Sequence, residues 1–445
     1  MRSPGEDTIA IPQLVEPVAL DDPYHATLRA LSDRLVEVQR PIRILDAIKW
    51  DDSVRAAFVA SGAREQPRVD RAYYEARPLS FDPSGLIAEF VDLERDIVRN
   101  LGEYNQVGRI MRRMCGEYRM VIRMLAARGM PAFSELSMRL YGSANDVFHA
   151  GEPTLADLGR MMSDTLDNID ESDLVETEAK TITASEAVGL MQHRLDAAFP
   201  DPLQPVRVIL DDGILADASA GADYLKIRRN ARFSPRDLDV LTVHEGWVHL
   251  GTTLNGASQP LCTFLSKGVP SSTVTQEGLA ILMEVITLAS FPSRLRNVTN
   301  RINAVHLAEE GATFRDVYQY FLDGGFEEEE SWKNTVRVFR GSTPTGGPFT
   351  KDLAYSKGFV LVYNFLQLAV RRGRLELIPL LFCGKTTLGD LPILAQLRDE
   401  GVLAPPRYLP PQIAEPSALA AWMAYASFLR RLDLSRIEND YAGLW

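Results

Sequence analysis

Cysteine, histidine and uninterrupted apolar sequence are all scarce in this chain of 445 residues. The three cysteines, Cys115, Cys262 and Cys383, are an odd number without CxxC spacing. That excludes a disulfide framework and predicts buried free thiols in a reducing, cytoplasmic setting. No apolar run approaches the roughly 18 residues of a spanning helix, and the N-terminus has no signal-peptide core, so no membrane is expected. Cations are in deficit. Lys and Arg total 48 against 60 Asp and Glu, a net charge of −12. This argues against nucleic acid as a partner, because phosphate binding needs clustered cations. What the chain does have is a hydrophobic content of 46%, enough for a substantial core.

Residues 1–22 mix Pro, Gly, Asp and Glu without periodicity and read as a flexible leader. From Pro23 the pattern turns helical, with Leu28, Leu31, Leu35 and Val38 at three- and four-residue spacing. A long helical run over 84–129 has a break at Gly102, and 164–178 reads as a solvated acidic helix end and loop. Near Pro202 the character changes. A β-branched run over 206–210 ends in Asp211-Asp212-Gly213, and 224–228 alternates apolar and charged positions. Helical patterns return from Ser234, interrupted by loops at 341–348 and 404–411. The predicted fold is mainly α (α+β). An N-terminal helical region covers 23–200, and a region over 201–445 places a small sheet just ahead of a histidine helix.

That helix holds His244-Glu245-Gly246-Trp247-Val248-His249, with two of the chain's 6 histidines. Ser234-Pro235-Arg236-Asp237 predicts its start, and Asn255-Gly256 its end. Two neutral imidazoles beside a glutamate are what a hydrolytic zinc site requires: nitrogen ligands for the ion and a base for its water. The histidines are five apart, however, which turns them about 140° from each other in a regular helix. Either a π-bulge restores them to one face, or they do not share an ion. Gly246 costs about 1 kcal/mol in a helix interior, which makes sense where the backbone deviates or something packs closely.

Downstream, Thr275-Gln276-Glu277-Gly278-Leu279-Ala280 opens a further apolar helix. Glu277 is either a third ligand, leaving a fourth position for water, or a first-turn acid stabilising its own helix dipole. Gly278 predicts close packing of this helix on the histidine helix. Glu284, seven residues on, is read first as an exposed helical glutamate and second as a group orienting a ligand histidine. Cys262 is the candidate that would close a purely structural zinc site. His25, His149, His193 and His306 read as structural.

These strings, together with Asn255-Gly256 and Gln259-Pro260-Leu261, resemble the QEGLA-motif family. That family includes the microtubule-associated tyrosine carboxypeptidase and bacterial proteins labelled as flavohaemoglobin expression modulators. The resemblance runs from Pro41-Ile42 into the 350s. It implies a zincin-like metallopeptidase core, Zn2+ held by His244, His249 and Glu277, and Glu245 as the catalytic base. The family commonly reads His-Glu-x-Gly-Thr-His, whereas Gly246-Trp247-Val248 stand here between Glu and His. That departure bears on pocket shape, on substrate choice and on whether the chain cuts at all. Arg340-Gly341 and Phe349-Thr350-Lys351-Asp352-Leu353-Ala354-Tyr355 resemble another family segment. Arg340 and Lys351 are then candidates for binding a terminal carboxylate by charge-assisted hydrogen bonds, against a reading as ordinary surface charges. Tyr355 is either a donor to the oxyanion or a packing residue.

The expected function is a zinc metallocarboxypeptidase that removes a C-terminal, tyrosine-like residue from a peptide or protein. The strand over 224–228 is expected to be an edge strand able to pair with an extended substrate. The alternative is a regulatory or binding protein on an inactive metallopeptidase scaffold.

Overall fold

The computed structural model describes residues 22–148, 151–169, 179–429 and 431. The leader apart from Asp22, the segment 170–178 and His149 lie outside the described residues. Asp22 caps the first helix, Pro23–Val38, by accepting the Tyr24 N–H at 2.8 Å. Leu28, Leu31 and Leu35 are buried on one face of it, as the periodicity predicts. The helices Pro83–Leu101 and Gln106–Ala126 meet at Gly102, whose φ of 89° lies in a region that only glycine enters freely.

One apolar core joins these early helices to the second half of the chain. Phe90, Met111 and Ile122 share it with Val248, Phe264, Leu279 and Phe382. Among the described residues, five short strands stand beside it: β1 (Ile182–Thr183), β2 (Arg207–Asp211), β3 (Ala218–Ala220), β4 (Tyr224–Arg228) and β5 (Arg232–Phe233). β1 pairs antiparallel with β5, and the other three form a sheet in the order β2-β4-β3. β4 runs parallel to β2 and antiparallel to β3. This corrects the expectation for 224–228. β4 is the central strand, its Leu225 and Ile227 fully buried, and β2 and β3 are the edges, of which β3 lines the cavity described below. The short Ala-Ser-Ala of β3 carries no strand periodicity, so the sequence hid it.

Two glycine contacts fix the layout around the site. A Cβ on Gly278 would lie 2.0 Å from the Gly358 carbonyl carbon, and one on Gly358 would lie 1.9 Å from the Val274 carbonyl oxygen. The helices Pro270–Ile286 and Ala354–Arg371 therefore touch backbone to backbone, and Gly278 packs on this later helix instead of on the histidine helix. The segment Thr350–Arg371 does have the length and apolarity of a membrane span, contrary to expectation. In this structure it is the helix whose Val362 and Leu366 enter the main core.

Candidate metal centre

The histidine helix begins as expected. Ser234 and Asp237 cap each other across the first turn, and Pro235–Leu241 is α-helical. Thr242–Leu250 is then π-helical, before α-helix resumes over Gly251–Ala257. The expected single-residue bulge is thus a nine-residue π segment. Gly251 N–H donates to the Gly246 carbonyl, five residues back, and this wider ring brings residues five apart onto one face. His244 and His249 accordingly stand with ring centroids 4.8 Å apart and planes nearly perpendicular, at 84°. Gly246 allows the close approach of Leu195, whose Cδ2 would be 3.0 Å from an added Cβ.

Glu277 lies well inside its helix, which starts at Pro270, so the dipole reading fails. Its Oε2 is 3.3 Å from His249 Nε2 and 3.5 Å from His244 Nε2. Ligands about 2.0–2.2 Å from a tetrahedral ion stand about 3.4 Å apart, a spacing that the two His–Glu separations match, and the three ligand atoms all lie within 4.8 Å of one another. They are the group of His, Cys, Asp and Glu side chains placed to hold a metal among the described residues. Cys262 is buried in the apolar core and belongs to no such group, which removes the structural-site reading.

Glu284 is fully buried, not exposed. It accepts from His244 Nδ1 at 2.6 Å and from Arg294 Nη2 at 3.0 Å, so His244 presents Nε2 to the site. Lys351 Nζ donates to Glu277 Oε1 at 2.8 Å, turning Oε2 toward the histidines. Lys351 lines the cavity, but its ammonium is engaged by the ligand carboxylate. Burial pulls the His244 pKa down, yet hydrogen bonds to Glu277 and Glu284 overcome it and raise it from 6.5 to about 10. Burial likewise opposes ionisation of Glu284, but Arg294 and His244 hold it at about 2. Glu277 is held well below the usual range against its burial, chiefly by Lys351 and His249.

A cavity of about 400 Å³ opens onto two of the trio, His249 and Glu277, and is also lined by Glu245, Arg340, Lys351, Tyr355 and, from β3, Ala218, Ser219 and Ala220. Ala220 N–H donates to Glu245 Oε2 at 2.8 Å, fixing the carboxylate that the sequence nominated as base. The Tyr355 ring stacks on His244 at 6.3 Å, and its hydroxyl accepts from Arg337 Nη2 at 3.3 Å, leaving its own proton free to donate. Arg340 follows the helix Glu328–Phe339, where Gly341, with φ of 87°, turns the chain. A Cβ at Gly341 would meet Phe133 at 2.1 Å, so the turn cannot shift.

Three guanidinium groups crowd one carboxylate here. Arg337 binds Asp352 through two hydrogen bonds, at 2.6 and 3.0 Å. Arg301 and Arg340 are buried, and the Nε of each has no partner. Burial and the Arg337 charge push both down to about 10. Trp247 packs against Phe199 and Val248 enters the core, so neither lines the cavity. Its apolar wall comes instead from Trp50, Leu215, Trp332 and Val336, residues that no motif in the sequence marks. Lys385 also lines the cavity, and no sequence signal pointed to it.

The profile of the microtubule-associated tyrosine carboxypeptidase family matches residues 56–431. No curated relative matches the chain. Among solved structures, Trypanosoma cruzi metallocarboxypeptidase 1 is similar over 88% of this chain and 98% of that chain. The sequence identity is 14% and the TM-score 0.37, a likeness too loose to carry an argument.

Proposed function

We propose that this chain, which belongs to the microtubule-associated tyrosine carboxypeptidase family, is a zinc-dependent carboxypeptidase with a zincin-like core and the QEGLA signature. The observation that carries the reading is one cavity that joins His249 and Glu277 of a His-His-Glu trio to the buried guanidinium of Arg340, whose Nε has no partner. His244, His249 and Glu277 hold the ion, and Glu284 and Lys351 orient two of these ligands. A zinc ion bound there supplies Lewis acidity to a water molecule and to the scissile carbonyl.

The side chains divide the remaining work. Arg340 binds the substrate's terminal carboxylate, because a buried guanidinium with an unpaired Nε gains from a charge-assisted contact. That contact places the last peptide bond near Glu245, which takes a proton from the attacking water and hands it to the leaving amine. Tyr355 donates its hydroxyl proton to the oxyanion that develops on the carbonyl. Trp50, Leu215, Trp332 and Val336 give an aromatic or large apolar terminal side chain a wall to pack on. The open edge of β3 offers backbone groups to the residues ahead of the cut.

The test is incubation of the zinc-loaded chain with peptides of varied C-terminus, read by mass spectrometry with and without chelator. Loss of one terminal residue, stopped by the chelator, is the expected result. Internal cleavage, or none, would overturn the exopeptidase assignment, and none would favour an inactive scaffold.

A further inference from the structure

Lys385 reaches the cavity from a loop 109 residues beyond Gln276 and 136 beyond His249. The loop has little room to drift. Lys385 N–H donates to the Leu265 carbonyl at 2.6 Å, and an added Cβ on Gly384 would lie 2.6 Å from the same oxygen. Asn255 Nδ2 donates to the Phe382 carbonyl at 2.9 Å, anchoring the approach to the loop.

Burial pulls the Lys385 pKa down to about 7, and in its ammonium form the side chain has three N–H bonds for three acceptors within reach. They are the His249 carbonyl at 2.7 Å, Thr252 Oγ1 at 3.0 Å and Gln276 Oε1 at 3.0 Å. The His249 carbonyl lies at the C-terminal end of the π segment, near the passage into α-helix, and it also accepts from Thr253 Oγ1 at 2.8 Å. The Thr252 hydroxyl donates in turn to the Val248 carbonyl at 2.6 Å. Gln276 immediately precedes Glu277. One cation therefore ties the backbone of one metal ligand to the residue beside another.

A buried ammonium so near a cation site is electrostatically unfavourable. An apolar side chain would fill the same space without that cost, but it could not make three directed bonds. We propose that Lys385 is a positioning residue that locks the π-helical turn of His249 to the Gln276-Glu277 turn, and so sets the spacing of the two ligands. The inference rests on the metal-binding reading of the trio.

The test compares full-length wild type with Lys385→Met, Thr252→Val and the double variant. Each is titrated with Zn2+ against a chromophoric chelator and, loaded with Co2+, examined by visible spectroscopy. Lys385→Met is expected to bind Zn2+ about 10- to 100-fold more weakly and to shift the Co2+ ligand-field bands. Thr252→Val should lose less, and the double variant no more than Lys385→Met alone. Wild-type affinity and an unchanged spectrum in Lys385→Met would overturn the proposal. If Lys385→Met loses its far-ultraviolet circular dichroism, Thr252→Val decides, and an unchanged affinity and spectrum there would overturn it. A wild-type chain that binds neither ion overturns the site reading itself.

Discussion

The two ends of the cavity follow opposite rules. At the ligand trio nearly every charge has its complement: His244 with Glu284, Glu284 with Arg294, Glu277 with Lys351. Elsewhere at the cavity Arg337 binds Asp352, while Arg301 and Arg340, whose charges also act on that carboxylate, each keep an unpaired Nε. Burying an unpaired charge is costly, so a folded protein retains one where something else neutralises it. On the function proposed above, the saturated end holds its side chains in place for a guest cation, whereas the cation-rich end is left incomplete for a guest anion. A carboxypeptidase needs both, one for the reacting carbonyl and one for the chain terminus.

The comparison can be broken at either end. The largest effect is expected from Glu245→Gln, which removes the proton acceptor and leaves the ligands untouched. Turnover should fall by about 10²- to 10⁴-fold in the peptide assay, with the zinc content by elemental analysis unchanged. Arg340→Met should lower kcat/KM by about 10²-fold, the cost of a lost buried ion pair with substrate, while zinc affinity stays the same. Because it removes a buried cation whose Nε is unpaired, the melting temperature of that variant should hold or rise. A fall would show that Arg340 has a structural partner after all. Glu284→Gln acts on the saturated end and should weaken zinc binding about 10-fold or more in a chelator titration, leaving kcat of the loaded enzyme nearly unchanged.

The smallest effect is on pH dependence without metal. His244 is raised from 6.5 to about 10, so its charged form stabilises the ion-free protein fully below about pH 6.5 and ceases to as pH rises through about 10. Glu277 and Glu284 are lowered, so their contributions are present above the ordinary carboxylate range and stay constant across this window. The melting temperature of the chelated protein should therefore decline between pH 7 and pH 10. A melting temperature that rises over this range would mean that the His244 proton is not held by the carboxylates.

What the sequence revealed was local. His244, Glu245 and His249 lie within one helical segment, and the Glu277 string sits intact on the next, so local sequence nominated them, although the five-residue spacing left their shared face open until the family resemblance was added. The capping residues at Ser234 and the break at Gly102 were legible for the same reason. Glu284 was misjudged because a glutamate on a helix says nothing of which neighbour covers it. Its seven-residue offset from Glu277 put it on the same face, and once that face is buried Glu284 must be too. β3 was missed because three small residues carry no alternation, and with it went the identity of the edge strand beside the cavity. Trp247 and Val248 looked like specificity residues because they stand between ligands, but the π-helical turn directs them into the packing instead. Lys385, Trp50 and Trp332 come from distant segments, and only the fold brings them to the cavity.

The account stands or falls on the ion. Elemental analysis of the purified wild-type chain beside His249→Ala tests it most directly. About one zinc per wild-type chain and little in the variant is the predicted result. A full zinc complement in His249→Ala, or none in the wild type, would contradict it.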